Sequence, residues 1–83
     1  MEKILVGLFI PAVKWHMDLF VPQSTRIGSL TQILAKGVCE LTDGRYSVSG
    51  KELLSLRDPD VLLNPTLTLA DYGIQDGAQL ILM

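Results

Sequence analysis

The stretch that decides the fold is TLADYGIQDGAQLILM, residues 68–83. Residues 68–74 read as a short, tight turn of helix closed by Gly73. Residues 79–83 read as a strand. Between them Gln75-Asp76-Gly77-Ala78 forms a turn, and Asp-Gly suits it because glycine takes positive φ without steric cost. A strand ending on Leu80, Ile81, Leu82 and Met83 is expected to enter a sheet already present, since termini are otherwise poorly tied down. The earlier strands are then read as its partners.

Lys3–Ile10 (KILVGLFI) is β-rich and apolar on both faces, and Pro11-Ala12-Val13-Lys14 breaks it. Residues 15–21 alternate, with Trp15, Met17, Leu19 and Val21 on one face and His16, Asp18 and Phe20 on the other, the pattern of a half-buried strand. The two segments form an antiparallel hairpin. A loop at 11–14 sets Ile10 opposite Trp15, Leu8 opposite Met17, Val6 opposite Leu19 and Ile4 opposite Val21. Ile4, Val6, Leu8 and Ile10 then face the core, and a one-residue slip would invert every assignment.

Pro22-Gln23-Ser24-Thr25 ends the strand, and Ser24 or Thr25 is the expected N-cap. A helix over Ile27–Leu41 follows from the apolar spacing of Ile27, Leu30, Ile33, Leu34, Val38 and Leu41. Gly28 and Gly37 each weaken it by roughly 1 kcal/mol relative to alanine, so close packing on the sheet is expected at one or the other. Asp43-Gly44 ends it. Residues 45–52 read as loop, 53–57 as strand, Asp58-Pro59-Asp60 as a turn, and 61–63 as a short return strand before Asn64-Pro65. One helix covers only one face of such a sheet, which gives a two-layer α+β domain.

The chain has 83 residues, 48% of them hydrophobic. A domain of that size buries roughly 60–65% of its unfolded surface, so part of the apolar content is expected outside, as a contact surface. The net charge is −2 and the seven basic residues are scattered, which excludes a nucleic-acid or anionic-lipid stripe. One cysteine, Cys39, excludes an internal disulfide and a cysteine-based metal cage. The longest apolar run is far shorter than the ~20 residues of a membrane span, and no signal peptide is expected, since only Glu2-Lys3 precedes the run and no small-residue cleavage site follows it. A cytoplasmic protein is expected.

Thr68-Leu69-Ala70-Asp71-Tyr72-Gly73-Ile74 resembles the segment before the last strand of ubiquitin. Val21-Pro22, with Ile27 six residues after the valine, resembles ubiquitin's strand-to-helix corner. The order of elements is similar to that of the β-grasp. A closer resemblance is to the bacterial YukD/EsaB-like ubiquitin-like proteins, with Ile74, Asp76 and Gly77 in register. The resemblance implies a single ubiquitin-like domain over residues 1–83: a mixed sheet of four to five strands with one main helix on one face. It also implies association with type VII (WXG-type) secretion in Gram-positive bacteria.

No catalytic constellation is present. Cys39 lacks an adjacent base and is expected to be structural. His16 sits on a strand, away from it, and is read as a surface residue. Asp58 and Asp60 flank Pro59 as turn residues rather than a calcium site, which takes six to eight oxygens. Gly44, Gly50, Gly73 and Gly77 fit no nucleotide fingerprint. The chain is therefore expected to be no enzyme and to use no cofactor or metal. With Met83 directly after strand residues and no Gly-Gly tail, transfer as a modifier is disfavoured.

The surface is where function is expected. Leu5, Gly7 and Phe9 face away from the helix, Phe20 lies across from Leu5, and Ile81 and Met83 point outward while Leu80 and Leu82 point in. Leu5, Phe9, Phe20, Ile81 and Met83 would form one patch on the open sheet face, a site for protein partners such as secretion-machine components. Two alternatives stand beside this non-catalytic interaction module. One is a carrier or modifier working with an activating enzyme. The other is a homodimer, closed through the patch or through edge pairing of the second strand.

Overall fold

The computed structural model describes residues 3–46, 48–57 and 60–83. The apolar first segment is β1 (Lys3–Ile10) and the alternating one β2 (Trp15–Pro22), joined by a 3₁₀ turn at Pro11–Val13. Lys14 closes that turn at φ 52°, its N–H donating to the Pro11 carbonyl at 3.2 Å. The hairpin register is the one expected: Ile10 opposite Trp15, Leu8 opposite Met17, Val6 opposite Leu19 and Ile4 opposite Val21. Ile4, Val6, Leu8 and Ile10 are all buried.

The remaining elements are α1 (Ile27–Leu41), β3 (Leu54–Arg57), β4 (Val61–Leu62), a second 3₁₀ turn at Ala70–Tyr72, and β5 (Ala78–Leu82). They form a five-stranded sheet in the order β2-β1-β5-β3-β4. β5 runs parallel to β1, and every other pair is antiparallel. β1 lies between β2 and β5 inside the sheet, one of its apolar faces turned to the core and the other to the open side. Helix α1 covers one face, where Ile27, Leu30, Leu34, Ala35 and Val38 join β1, Leu80 and Leu82 in a single core. Ile33 and Leu41 depart from the expected core face, with 62% and 61% of their surface exposed. Ile33 stands about 100° around the helix from Leu34, and Leu41 falls in the last turn.

Neither Ser24 nor Thr25 caps the helix. The N-cap is Arg26, without a side-chain bond. The free N–H groups of the first turn instead donate to backbone: Ile27 to the Leu67 carbonyl at 2.8 Å and Gly28 to that of Pro65 at 2.9 Å. The same loop accounts for Gly28, where a Cβ would stand 3.2 Å from both Cβ and carbonyl oxygen of Pro65. Close packing at Gly28 is thus against a loop, not the sheet, and a Cβ on Gly37 would meet nothing within 4 Å.

Residues 68–74 are a connector tied to the strand-to-helix corner: the Ala70 N–H donates to the Gln23 carbonyl at 3.1 Å, and the Gln23 side-chain amide donates to the Ile74 carbonyl at 3.0 Å. The Thr68 N–H donates to Asp71 Oδ2 at 2.9 Å, and the Asp71 N–H donates back to Thr68 Oγ1 at 3.1 Å. This reciprocal box nucleates the 3₁₀ turn, and Gly73 ends it at φ 69°. Leu69 and Ile74, at either end, are buried in the core. Residues 48–52 form no strand, in keeping with the loop reading, and the strand begins at Leu54, one residue later than expected. Tyr46 is buried, its N–H bonded to Thr42 Oγ1 at 3.1 Å. Asp58 and Pro59, read as a turn with Asp60, lie outside the described residues.

The two helical glycines should respond oppositely to alanine. Gly37→Ala should stabilise the fold by about 1 kcal/mol, a rise of roughly 4–8 °C in Tm for a domain of this size. Gly28→Ala should gain nothing or lose stability, because Pro65 must shift. Thermal denaturation of the two variants checks this.

Candidate protein-interaction surface

The outer sheet face, away from α1, is ordered by the strand registers. Opposed residues share a face, so the pairings sort its side chains into rows. The first row is Leu5 and Phe20. The second is Asp18, Gly7, Gln79 and Arg57. The third is His16, Phe9, Ile81, Ser55 and Leu62. The fourth is Met83 and Leu53, whose backbones exchange two hydrogen bonds of 2.9 Å.

All five residues singled out from the sequence face outward. Phe20, Met83 and Leu5 are exposed, while Phe9 and Ile81 are half-buried. They do not form one patch. The second row is polar and runs between them. Gln79 lies across Gly7, where a Cβ would collide with its amide, and reaches His16, with Oε1 3.4 Å from Nε2. Leu5 and Phe20 stand on one side of this row. Phe9, Ile81 and Met83 stand on the other and are joined there by Leu53 and Leu62, exposed by 45% and 58%. Reasoning from sequence missed these last two. Their place depends on how β3 pairs with β5 and β4 with β3, which no local pattern shows. The Phe9 ring also approaches His16, with centroids 6.5 Å apart.

The loop before Leu53 is held by one carboxylate. Glu52 accepts hydrogen bonds from the Ser49 N–H at 2.6 Å, the Gly50 N–H at 3.0 Å, the Ser49 hydroxyl at 3.0 Å and the Tyr46 hydroxyl at 3.3 Å. The Ser49 backbone bond, first among these, holds the Glu52 carboxyl below its ordinary pKa. Burial pushes the Tyr46 hydroxyl up, reinforced by the neighbouring Glu52 charge and their hydrogen bond.

Cys39 is free and half-buried against the core. Among the described residues no three His, Cys, Asp or Glu side chains gather as metal ligands. No helix among them is long and apolar enough to cross a membrane.

The architecture matches solved structures. The ubiquitin-like domain of the Mycobacterium tuberculosis type VII secretion system protein ECCD1 is similar over 100% of this chain and 99% of its own, with a TM-score of 0.77 and 17% identity. This chain has the ubiquitin-like β-grasp fold. A chain of the MycP5-free ESX-5 inner membrane complex is also similar, at TM-score 0.72 and 17% identity, over 100% of this chain and 21% of its own. Caldiarchaeum subterraneum ubiquitin is similar over 98% of this chain and 91% of its own, at TM-score 0.66 and 19% identity. Identities this low establish the fold alone. No protein-family model and no curated protein sequence matches the chain.

The Glu52 contacts predict a pH signature. A carboxyl whose folded pKa is depressed adds stability above its unfolded pKa and loses it as pH falls through the folded value. Wild-type stability should therefore decline as pH drops from the ordinary 4.5 of this group through its lower folded value. Glu52→Gln should lack that component of the decline. Denaturation at stepped pH, wild type against variant, reads it.

Proposed function

We propose that this chain is a non-catalytic ubiquitin-like interaction module. It acts in the cytoplasm as an accessory or regulatory component of a type VII (WXG-type) secretion system in a Gram-positive bacterium, in the manner of the YukD/EsaB-like proteins. The observation that carries this reading is the apolar cluster of Phe9, Ile81, Met83, Leu53 and Leu62 on the open sheet face. A small domain rarely leaves adjoining apolar side chains exposed without a contact to make.

The polar second row gives the cluster a border. Asp18 and Arg57 sit at its opposite ends, with the Gln79 amide between them. A protein partner that covers the cluster with apolar side chains can meet this row with hydrogen bonds, the arrangement of an apolar centre with a polar rim. The likeness to the ECCD1 domain, which spans both chains almost completely, supports a secretion-machine component as that partner. Leu5 and Phe20, beyond the polar row, form a second and smaller contact.

Binding of the purified chain to the cytoplasmic parts of a type VII system, measured by titration calorimetry, tests the proposal. Ile81→Asp and Phe9→Asp should each weaken binding by roughly thirtyfold or more, with the circular dichroism of the fold unchanged. Phe20→Asp should weaken it less. Full retention of binding in all three variants would overturn the assignment of this face.

A further inference from the structure

Strand β2 is the edge of the sheet, and among the described residues it pairs only with β1. Edge strands are usually guarded by charged side chains, a bulge, a proline or a covering element, because their free N–H and C=O groups template further pairing; β2 carries one such charge, Asp18. β2 is eight residues long, and its proline, Pro22, stands at the very end. Its inward side chains Trp15, Met17, Leu19 and Val21 are all apolar, the first three only half-buried. Beside it runs an apolar groove of about 200 Å³, lined by Met17 and Leu19 on the strand and by Ile33, Gly37 and Leu41 on α1. Ile33 and Leu41 are the two helix residues that fail to reach the core. The bare Gly37 leaves room between them.

The sequence of β2 indicates what occupies this edge. An antiparallel pairing of two identical strands about a two-fold axis must centre on a residue, since opposed side chains share a face. Centred on Asp18, two carboxylates would oppose each other. Centred on Leu19, Asp18 would oppose Phe20. Centred on Met17, His16 opposes Asp18 of the second copy, twice by symmetry, while Trp15 opposes Leu19 and Met17 opposes itself. Of these three registers only this one gives compatible partners on both faces. We propose that β2 pairs with β2 of a second copy about Met17, joining two five-stranded sheets into one, with the apolar side chains of each copy seated under Ile33 and Leu41 of the other.

This interface lies at the sheet edge and stands independently of the outer-face cluster. The test is a charge exchange read by sedimentation equilibrium over a range of concentrations. The wild type should be a reversible dimer. His16→Asp and Asp18→His each place like groups opposite one another at both symmetric positions, and each should weaken the dimer roughly tenfold. The double variant His16→Asp/Asp18→His restores opposite partners and should return to within about threefold of wild type. Both sites are on the surface, so circular dichroism should report an unchanged fold in all three variants. A wild type that stays monomeric at its highest soluble concentration overturns the proposal, including the case where an unrelated extended peptide fills the groove. So does a dimer indifferent to either single exchange, or one that the double exchange fails to rescue.

Discussion

The Leu5 N–H donates to Asp76 Oδ1 at 2.7 Å, and the Leu5 carbonyl accepts from the Gly77 N–H at 2.8 Å. This pair of bonds governs where β5 enters between β1 and β3. A parallel pair has no hairpin to set its register, because its strands are joined by a long crossover. Some local device must do so, and here Asp76 and Gly77 supply it. Gly77 sits at φ 91°, a conformation L side chains rarely adopt. The connector before it delivers the chain to that point: Leu69 and Ile74 anchor in the core, the Thr68–Asp71 box shapes the turn, and Gly73 reverses it. A slip of one residue would turn Leu80 and Leu82 outward and strip the core of two fully buried side chains.

The same register composes the surface. It sets Gln79 beside Gly7 and Ile81 beside Phe9. β1 could not carry a larger residue at position 7 without displacing the Gln79 amide, so glycine here serves a close approach across the sheet. The polar row that results divides the apolar residues. A face that composition alone makes look uniformly sticky is thus partitioned, with the larger cluster toward the end where β5 and Leu53 meet.

The legibility of these features in the sequence follows their range. The first hairpin was readable to the residue because a loop at 11–14 and a period-two pattern are local and mutually constraining. The helix span, the closing turn at Gly73 and the inward Leu80 and Leu82 were readable for the same reason. What escaped depends on distant partners. Ser24 and Thr25 have the chemistry of caps, but carbonyls of the 65–67 loop arrive first. Gly28 looked like a sheet contact and is a loop contact. Ile33 and Leu41 have helical spacing, yet β2, beneath them, is the last strand and offers nothing further to bury them. The single patch of Leu5, Phe9, Phe20, Ile81 and Met83 had the right residues on the right face. Its division required knowing that Gln79 and Arg57 align with Gly7 and Asp18, a fact of three strand pairings rather than of any one segment.

The edge and the face are geometrically coupled through β2. A two-fold axis perpendicular to the sheet keeps both outer faces on the same side, so the joined sheet presents two copies of the Phe9–Ile81 cluster. Between the two β5 strands lie five strand spacings, or about 24 Å at 4.8 Å each. The row of one copy that ends in His16 continues into the other copy's row that begins at Asp18, so the clusters stay separate across a polar middle. Such a surface is bivalent. A partner present in several copies, as in a ring or paired assembly, would gain from the second contact through effective concentration rather than through any tighter single contact. A modest apolar cluster on a domain with a thin core could then hold an assembly without the extended exposed surface that would make the free chain aggregate.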